Sequence, residues 1–315
     1  MTRAAWTELS RTAFSVALFA YLAAMVGYFH HLAFRRRGVV VAAAAVAWAG
    51  LAAHAVSVVA RGIAAGRVPW GNMYEYSSLL ALLTVAGYLG YVELRHGLRQ
   101  LGGFALMFAV VTMAIAVEFL YVGPGPLVPA LDSYWLKVHV VAAILGSSLF
   151  ALGAGVATPL YLVQEARERR RGRAPAPIMG AAVELGDPPD RAAWADEPEA
   201  AGPPPEGRGV LPPAAVLDRL AYRTIAFAFP IWTFAVISGA IWAQHAWGRY
   251  WGWDPKETWS FITWTIFAGY LHARATMGWK GRRAAALALV GFGSLLVTYY
   301  VVNLWIVGLH SYAGV

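Results

Sequence analysis

The chain has 315 residues, 59% of them hydrophobic and 13% charged, with a mean hydropathy of +0.53. Soluble domains carry about 25% charged residues, so this composition excludes that class and reads as an all-α, polytopic membrane bundle. The net charge of +8 and the lack of cysteine exclude two further classes: the basic residues sit in loop clusters and not on the face of a soluble nucleic-acid-binding unit, and disulfides, thiolate metal sites and cysteine nucleophiles are impossible.

Eight stretches have roughly the 20 apolar residues that a hydrocarbon core requires: 13–34, 39–60, 74–93, 101–121, 136–163, 221–243, 256–275 and 284–307. The first lacks a basic leader and a small-residue cleavage site and is followed by Arg35, Arg36 and Arg37, so it reads as a retained span. Those arginines, then Arg95 and Arg99, then Arg167 to Arg173, then Arg274, Lys280, Arg282 and Arg283 occupy alternate loops. By the positive-inside rule these loops are cytoplasmic, and both termini lie on the outer side.

The outer loop Pro69-Trp70-Gly71-Asn72 leads into the third span, where Asn72 and Glu75 have capping-box spacing. The spans divide into a five-span half (1–163) and a three-span half (219–315). Between them, 164–218 opens Arg-rich and continues in Pro, Ala, Gly and acidic residues, a composition that buries too little apolar surface to fold alone and reads as a disordered cytoplasmic linker.

The segment Trp247 to Trp259 holds four tryptophans in thirteen residues, between two spans. Asp254 can cap a helix, Pro255 suits its first position, and Glu257 completes a capping box, so a helix is predicted to start at Pro255. The tryptophans before it, Trp247, Trp251 and Trp253, then form a fixed aromatic shelf at the membrane surface. An interfacial belt alone needs only one or two such rings.

Ionisable groups inside a bilayer are functional candidates by default, so the eight histidines are sorted by depth. His30, His31 and His96 lie at cytoplasmic ends and need no special role. His54, in the second span, has a helix-to-helix hydrogen bond as its ordinary reading. His245 reads as polar trim beside the motif. His139, two turns into the fifth span, and His310, after the eighth, both fall at the level of the tryptophan shelf. Two imidazoles over an aromatic platform are what a bis-histidine haem needs; two unrelated interfacial histidines are the alternative. His272 lies seventeen residues after Pro255, about 25 Å along the helix, near the cytoplasmic side, where the chain offers no evident partner histidine except His30 or His31.

The run WGRYWGWDPKETWSFITW (247–264), with His139 before it and GLHSY (308–312) after it, resembles the cytochrome c biogenesis proteins of the CcsA/ResC type, in the haem-handling superfamily with the WWD motif. The loop PWGNMYEY (69–76), the run YLHAR (270–274) and the eight-span plan extend the resemblance over most of the chain. It implies that His139 and His310 are outer axial ligands of haem b iron, and that Trp247, Trp251, Trp253 and Asp254 line that site. His272 is then an intramembrane ligand, whose counterpart a CcsB/ResB-type partner supplies.

The function implied is haem export across the cell membrane and attachment to the CXXCH thiols of apocytochrome c, with thioredoxin-like proteins keeping those thiols reduced. The chain is then one subunit of a holocytochrome c synthase, with no acid-base dyad of its own. A CcmC/CcmF-like haem chaperone is the nearest alternative, and a membrane b-type electron-transfer cytochrome a more distant one. A transporter of another solute would carry broken helices or mid-membrane charge.

Overall fold

The structure, a computed structural model, describes residues 1–126, 132–172, 210–306 and 308–309. Among these residues all regular structure is helical. Helix α1 (Arg3–Phe34) and α2 (Arg37–Ala65) form an antiparallel pair with a seam of small residues, including Ala17, Ala24, Ala43 and Ala47. A Cβ on Gly50 of α2 would meet the Tyr21 ring at 2.9 Å. Small residues let helices approach closely in lipid, where van der Waals packing replaces the hydrophobic drive.

Helix α3 (Met73–Gly87) runs on through a π-helical turn (Tyr88–Glu93) and packs against α4 (Gly102–Phe119) and α5 (Tyr134–Phe150). A second π segment (Ala151–Ala157) joins α5 to α6 (Thr158–Gly172) as one rod. The C-terminal part of the chain forms α7 (Ala214–Trp247), α8 (Pro255–Ala275) and α9 (Gly281–Leu296), which passes through a third π segment (Val297–Val301) into α10 (Val302–Trp305). Six of these rods are long and apolar enough to cross a membrane. The other two stretches expected to span form the 15-residue α3 with its π turn and the 21-residue α8.

Two buried clusters hold the bundle together. One, around Tyr21, Tyr28, Tyr88 and Met113, belongs mainly to α1–α4; the other, around Phe150, Trp232, Phe267 and Tyr270, belongs to α5 and α7–α9. Phe150 and Phe267 stack at the centre of the second, with ring centroids 3.8 Å apart.

Contacts bring the starts of α1, α3, α5 and α8 and the ends of α2, α4, α7 and α10 to one end of the bundle. The arginine clusters lie at the other, where Arg274 forms a two-point pair with Asp218 at 2.6 and 3.0 Å.

Two local expectations are corrected. Residues 164–172 continue α6 and 214–218 open α7, because side-chain pairs support the helix: Arg169 with Glu165 at 2.8 Å and Gln164 with Glu168 at 2.9 Å. Glu168 also accepts the Ala214 N–H at 3.0 Å, tying the two helices together. The remainder of the expected linker, 173–209, lies outside the described residues.

At α3 the capping box is only half formed. Asn72 accepts the Glu75 N–H at 2.9 Å, but Glu75 turns its carboxylate to Arg61 at 2.9 Å, Arg67 at 2.7 Å and the Gly71 N–H at 2.8 Å. Two guanidiniums, that of buried Arg61 and that of half-buried Arg67, compete better for a carboxylate than the single N–H of Asn72.

Candidate functional site

Helix α8 begins where predicted. Asp254 is its N-cap, Pro255 its first residue, and Asp254 Oδ1 accepts the Lys256 N–H at 3.2 Å. Glu257 Oε2 reaches back to the N–H groups of Gly252 at 2.8 Å and Asp254 at 3.2 Å. The turn before the helix is tight: Trp253 has φ of 60°, a left-handed conformation rare for a bulky residue. Arg249 folds under it towards Glu257, 3.8 Å away, filling the space that a side chain at Gly252 would need.

The second oxygen of Asp254 makes a contact far along the chain, accepting the Leu309 N–H at 2.7 Å. A Cβ on Gly308 would stand 2.7 Å from that same oxygen, so glycine is what lets the C-terminal segment approach. One carboxylate thus caps α8 and holds the residue immediately before His310. His310 itself lies outside the described residues.

Between the two core clusters, beside this turn, lies a cavity with about 1170 Å³ of empty space including its open mouth. Its wall takes Gly71, Asn72 and Tyr76 from the start of α3, His139 from α5, Trp232 and Trp242 from α7, Trp251 from the motif, and Tyr299 from the third π segment. Tyr76 and Tyr299 pack with centroids 4.4 Å apart, and Tyr299 shares a hydrogen bond with Ser77 at 2.9 Å.

His139 is positioned from three sides. Its Nδ1 lies 2.7 Å from the carbonyl of Ala235. A carbonyl only accepts, so Nδ1 carries the proton and Nε2 carries the lone pair that a metal requires. The ring lies parallel to Trp242, at 7° and 6.3 Å. A Cβ on Gly239 would meet its Cε1 and Nδ1 at 2.8 Å, so the imidazole occupies the place of that missing side chain.

The remaining residues singled out in the sequence are spread around this cavity. Trp251 lines it. Trp247 packs behind Trp242, centroids 4.8 Å apart at 64°. Trp253 is 66% exposed and meets Trp251 edge-to-face at 5.8 Å. The tryptophans therefore form a stepped edge-to-face wall and not one flat shelf. Trp247, Trp253 and Asp254 stand outside the cavity lining. His272 is exposed on α8 towards the arginine end. His54 is buried among α1–α3 and bonds Ser78 at 2.9 Å, and His245 turns to the Ile241 carbonyl at 2.8 Å.

Trp232, Trp242 and Gly239 are site residues that sequence reasoning passed over. Their only signal is a register: Trp232, Gly239 and Trp242 follow one another at seven and three residues, one face of a helix.

Two charged side chains line the cavity with His139. Lys256 donates from Nζ to Asn303 Oδ1 at 2.7 Å. Glu257 is buried and satisfied at Oε2, while its Oε1 has no hydrogen-bond partner.

Residues 70–310 match the family described as cytochrome C assembly protein. Among similar proteins, the cytochrome c biogenesis protein CcsA of Synechococcus sp. (strain JA-3-3Ab) is 36% identical over 82% of this chain and 81% of its own length. The CcsA of Gloeobacter violaceus is 37% identical over 80% of each chain, and that of Porphyra purpurea 33% over 92% of this chain and 93% of its own. Of solved structures, the cytochrome c haem lyase CcmF shares the fold with a TM-score of 0.66 at 16% identity. The likeness takes in 95% of this chain and 47% of that one, so this chain spans about half its length.

Proposed function

The chain belongs to the cytochrome c assembly protein family, and from that premise we propose that it holds haem b in the cavity beside α8 and presents it to apocytochrome c for covalent attachment. The observation that carries this reading is His139. Its Nδ1–H is committed to the Ala235 carbonyl, so Nε2 is the ligating nitrogen, in a cavity walled by Trp232, Trp242 and Trp251. A carbonyl behind a metal-binding imidazole fixes its tautomer and ring direction, and flat indoles suit a flat macrocycle.

In this reading His139 and His310 are the two axial ligands, and the Asp254 to Leu309 hydrogen bond holds the residue that precedes the second. Trp247 and Trp253 buttress the wall from behind Trp242 and Trp251. Haem reaches the site from the cytoplasmic side. His272, exposed on α8, supplies one ligand on that route and a CcsB/ResB-type membrane partner supplies the other. The cavity end of the bundle faces the outer side of the cell membrane, as do both termini, and the arginine end faces the cytoplasm.

Attachment needs no oxidant. Each CXXCH thiol of the apocytochrome, kept reduced by thioredoxin-like proteins, adds across a haem vinyl group: the sulfur bonds one carbon and the proton goes to the other. The protein's share is positioning, which is worth several kcal/mol as effective molarity. The structural neighbour CcmF is a cytochrome c haem lyase, a likeness that supports this class of reaction at the level of fold alone.

The test is the absorption spectrum of the chain purified with its membrane partner. Replacing His139 or His310 by Ala is expected to lower haem content, with partial recovery on adding imidazole. Unchanged haem in the double variant would overturn the assignment.

A further inference from the structure

Lys256 is the cationic side chain of the cavity lining, and among the described residues the Asp254 carboxylate bears on its charge without pairing with it. Among the described residues no carboxylate lies within 4 Å of Lys256 Nζ; its partner is the neutral Asn303 oxygen at 2.7 Å. Neither nearby acid reaches the ammonium, although Glu257 keeps its Oε1 without a partner. Asp254 accepts the N–H groups of Lys256 and Leu309, and Glu257 accepts those of Gly252 and Asp254 and faces Arg249. Asn303 is itself held in place, since its Nδ2 donates to the Tyr299 carbonyl at 2.5 Å. That bond turns Oδ1 towards the ammonium, an orientation made by the third π segment. One of the three ammonium protons is thereby used, and the other two are left for a ligand.

The opposite wall is apolar and aromatic, so the cavity is built for a molecule with one anionic edge and a flat apolar body. We infer that the Lys256–Asn303 pair is the carboxylate end of this cavity: it takes a propionate of the bound porphyrin and thereby fixes which edge of the macrocycle faces α8 and α10. This rests on the haem reading above and adds a direction to it. With the propionate edge at Lys256, the vinyl groups lie away from α8, which restricts the edge along which an apocytochrome's thiols approach. The ammonium is oriented by a neutral amide and not by an acid. A carboxylate in the position of Asn303 would neutralise the charge before the ligand arrived.

Protohaem and its dimethyl ester, which lacks both propionate charges, separate the possibilities when titrated against the full chain purified with its partner and freed of haem. Wild type is expected to bind protohaem about 10 to 100 times more tightly than the ester, the range of a charged hydrogen bond. Lys256→Gln should bring the two affinities to within a few-fold of each other, mostly by weakening protohaem. Asn303→Asp keeps the side-chain volume and the contact to Lys256 but supplies a competing carboxylate, and should shrink the preference in the same way; it serves as the test if Lys256→Gln does not fold. Equal binding of acid and ester by wild type, or a preference that survives in the folded variants, would overturn the inference. His139→Ala keeps the two layers apart: loss of both porphyrins with no acid preference in wild type sinks only the propionate assignment, whereas binding insensitive to His139→Ala sinks the haem reading beneath it.

Discussion

Two buried ionic sites lie at the same end of this bundle, and they are finished to different degrees. Around Glu75 both carboxylate oxygens are taken, by Arg61, Arg67 and the Gly71 N–H. The guanidiniums continue to the carbonyls of Val122 and Gly125, and Arg61 also lies over the rings of Tyr74 and Tyr121. Around the cavity, Lys256 meets a neutral amide and Glu257 keeps an oxygen without a partner. Burying a charge is costly unless it is paired and hydrogen-bonded. The Glu75 cluster meets that condition within the chain and so serves as a clamp across α2, α3 and the loop after α4. The cavity pair leaves capacity for a ligand.

Breaking the clamp is expected to give the largest loss. Glu75→Ala leaves buried Arg61 and half-buried Arg67 without their carboxylate and should destabilise the protein by about 3–5 kcal/mol, read as a lower unfolding temperature and reduced accumulation in the membrane. If haem content per folded molecule fell far more than stability, the clamp would have to be counted with the site. Gly239→Ala acts on the site side. The new methyl group meets the His139 ring at the 2.8 Å contact, so haem content should fall towards that of His139→Ala, with imidazole restoring it and the unfolding temperature shifting little.

Asp254→Ala is predicted to have two separable effects. Loss of the cap costs about 1 kcal/mol, and release of the 308–309 segment weakens ligation on the His310 side, an absorption change that imidazole should reverse. A stability loss with an unchanged spectrum would show that the Leu309 contact has no bearing on ligation. The smallest effect is expected from Tyr76→Phe, which removes the hydrogen bond to Ser147 and should cost about 0.5–1.5 kcal/mol of stability, read as a small drop in unfolding temperature.

Much of the fold was legible because membrane spans are long and apolar. The start of α8 was legible because Asp254, Pro255 and Glu257 each favour it for a separate local reason. The boundaries of α6 and α7 were less so: an Arg-rich, charged run reads as linker unless its pairing at i,i+4 is given weight. Within the site, His139 stood out because it falls, with His310, at the level of the tryptophan motif. Trp232 and Trp242 did not, since indoles on an apolar helix read as ordinary membrane residues, and Gly239 is equally unremarkable in a span. For Asp254 the cap was readable and the tether to Leu309 was not.

By itself the sequence determined a helical membrane protein with its basic loops on one side, a capped helix at Pro255, and the residue types that suit a bis-histidine ligand site. These follow from hydropathy, loop charge and capping chemistry, which act over a few residues. Only the tertiary structure decided that His139 fits into the gap at Gly239, that the tryptophans form a stepped wall, and that Asp254 holds the segment before His310. Each of these depends on the distance between helices far apart in the chain, and that distance is set by side-chain packing across their contact faces.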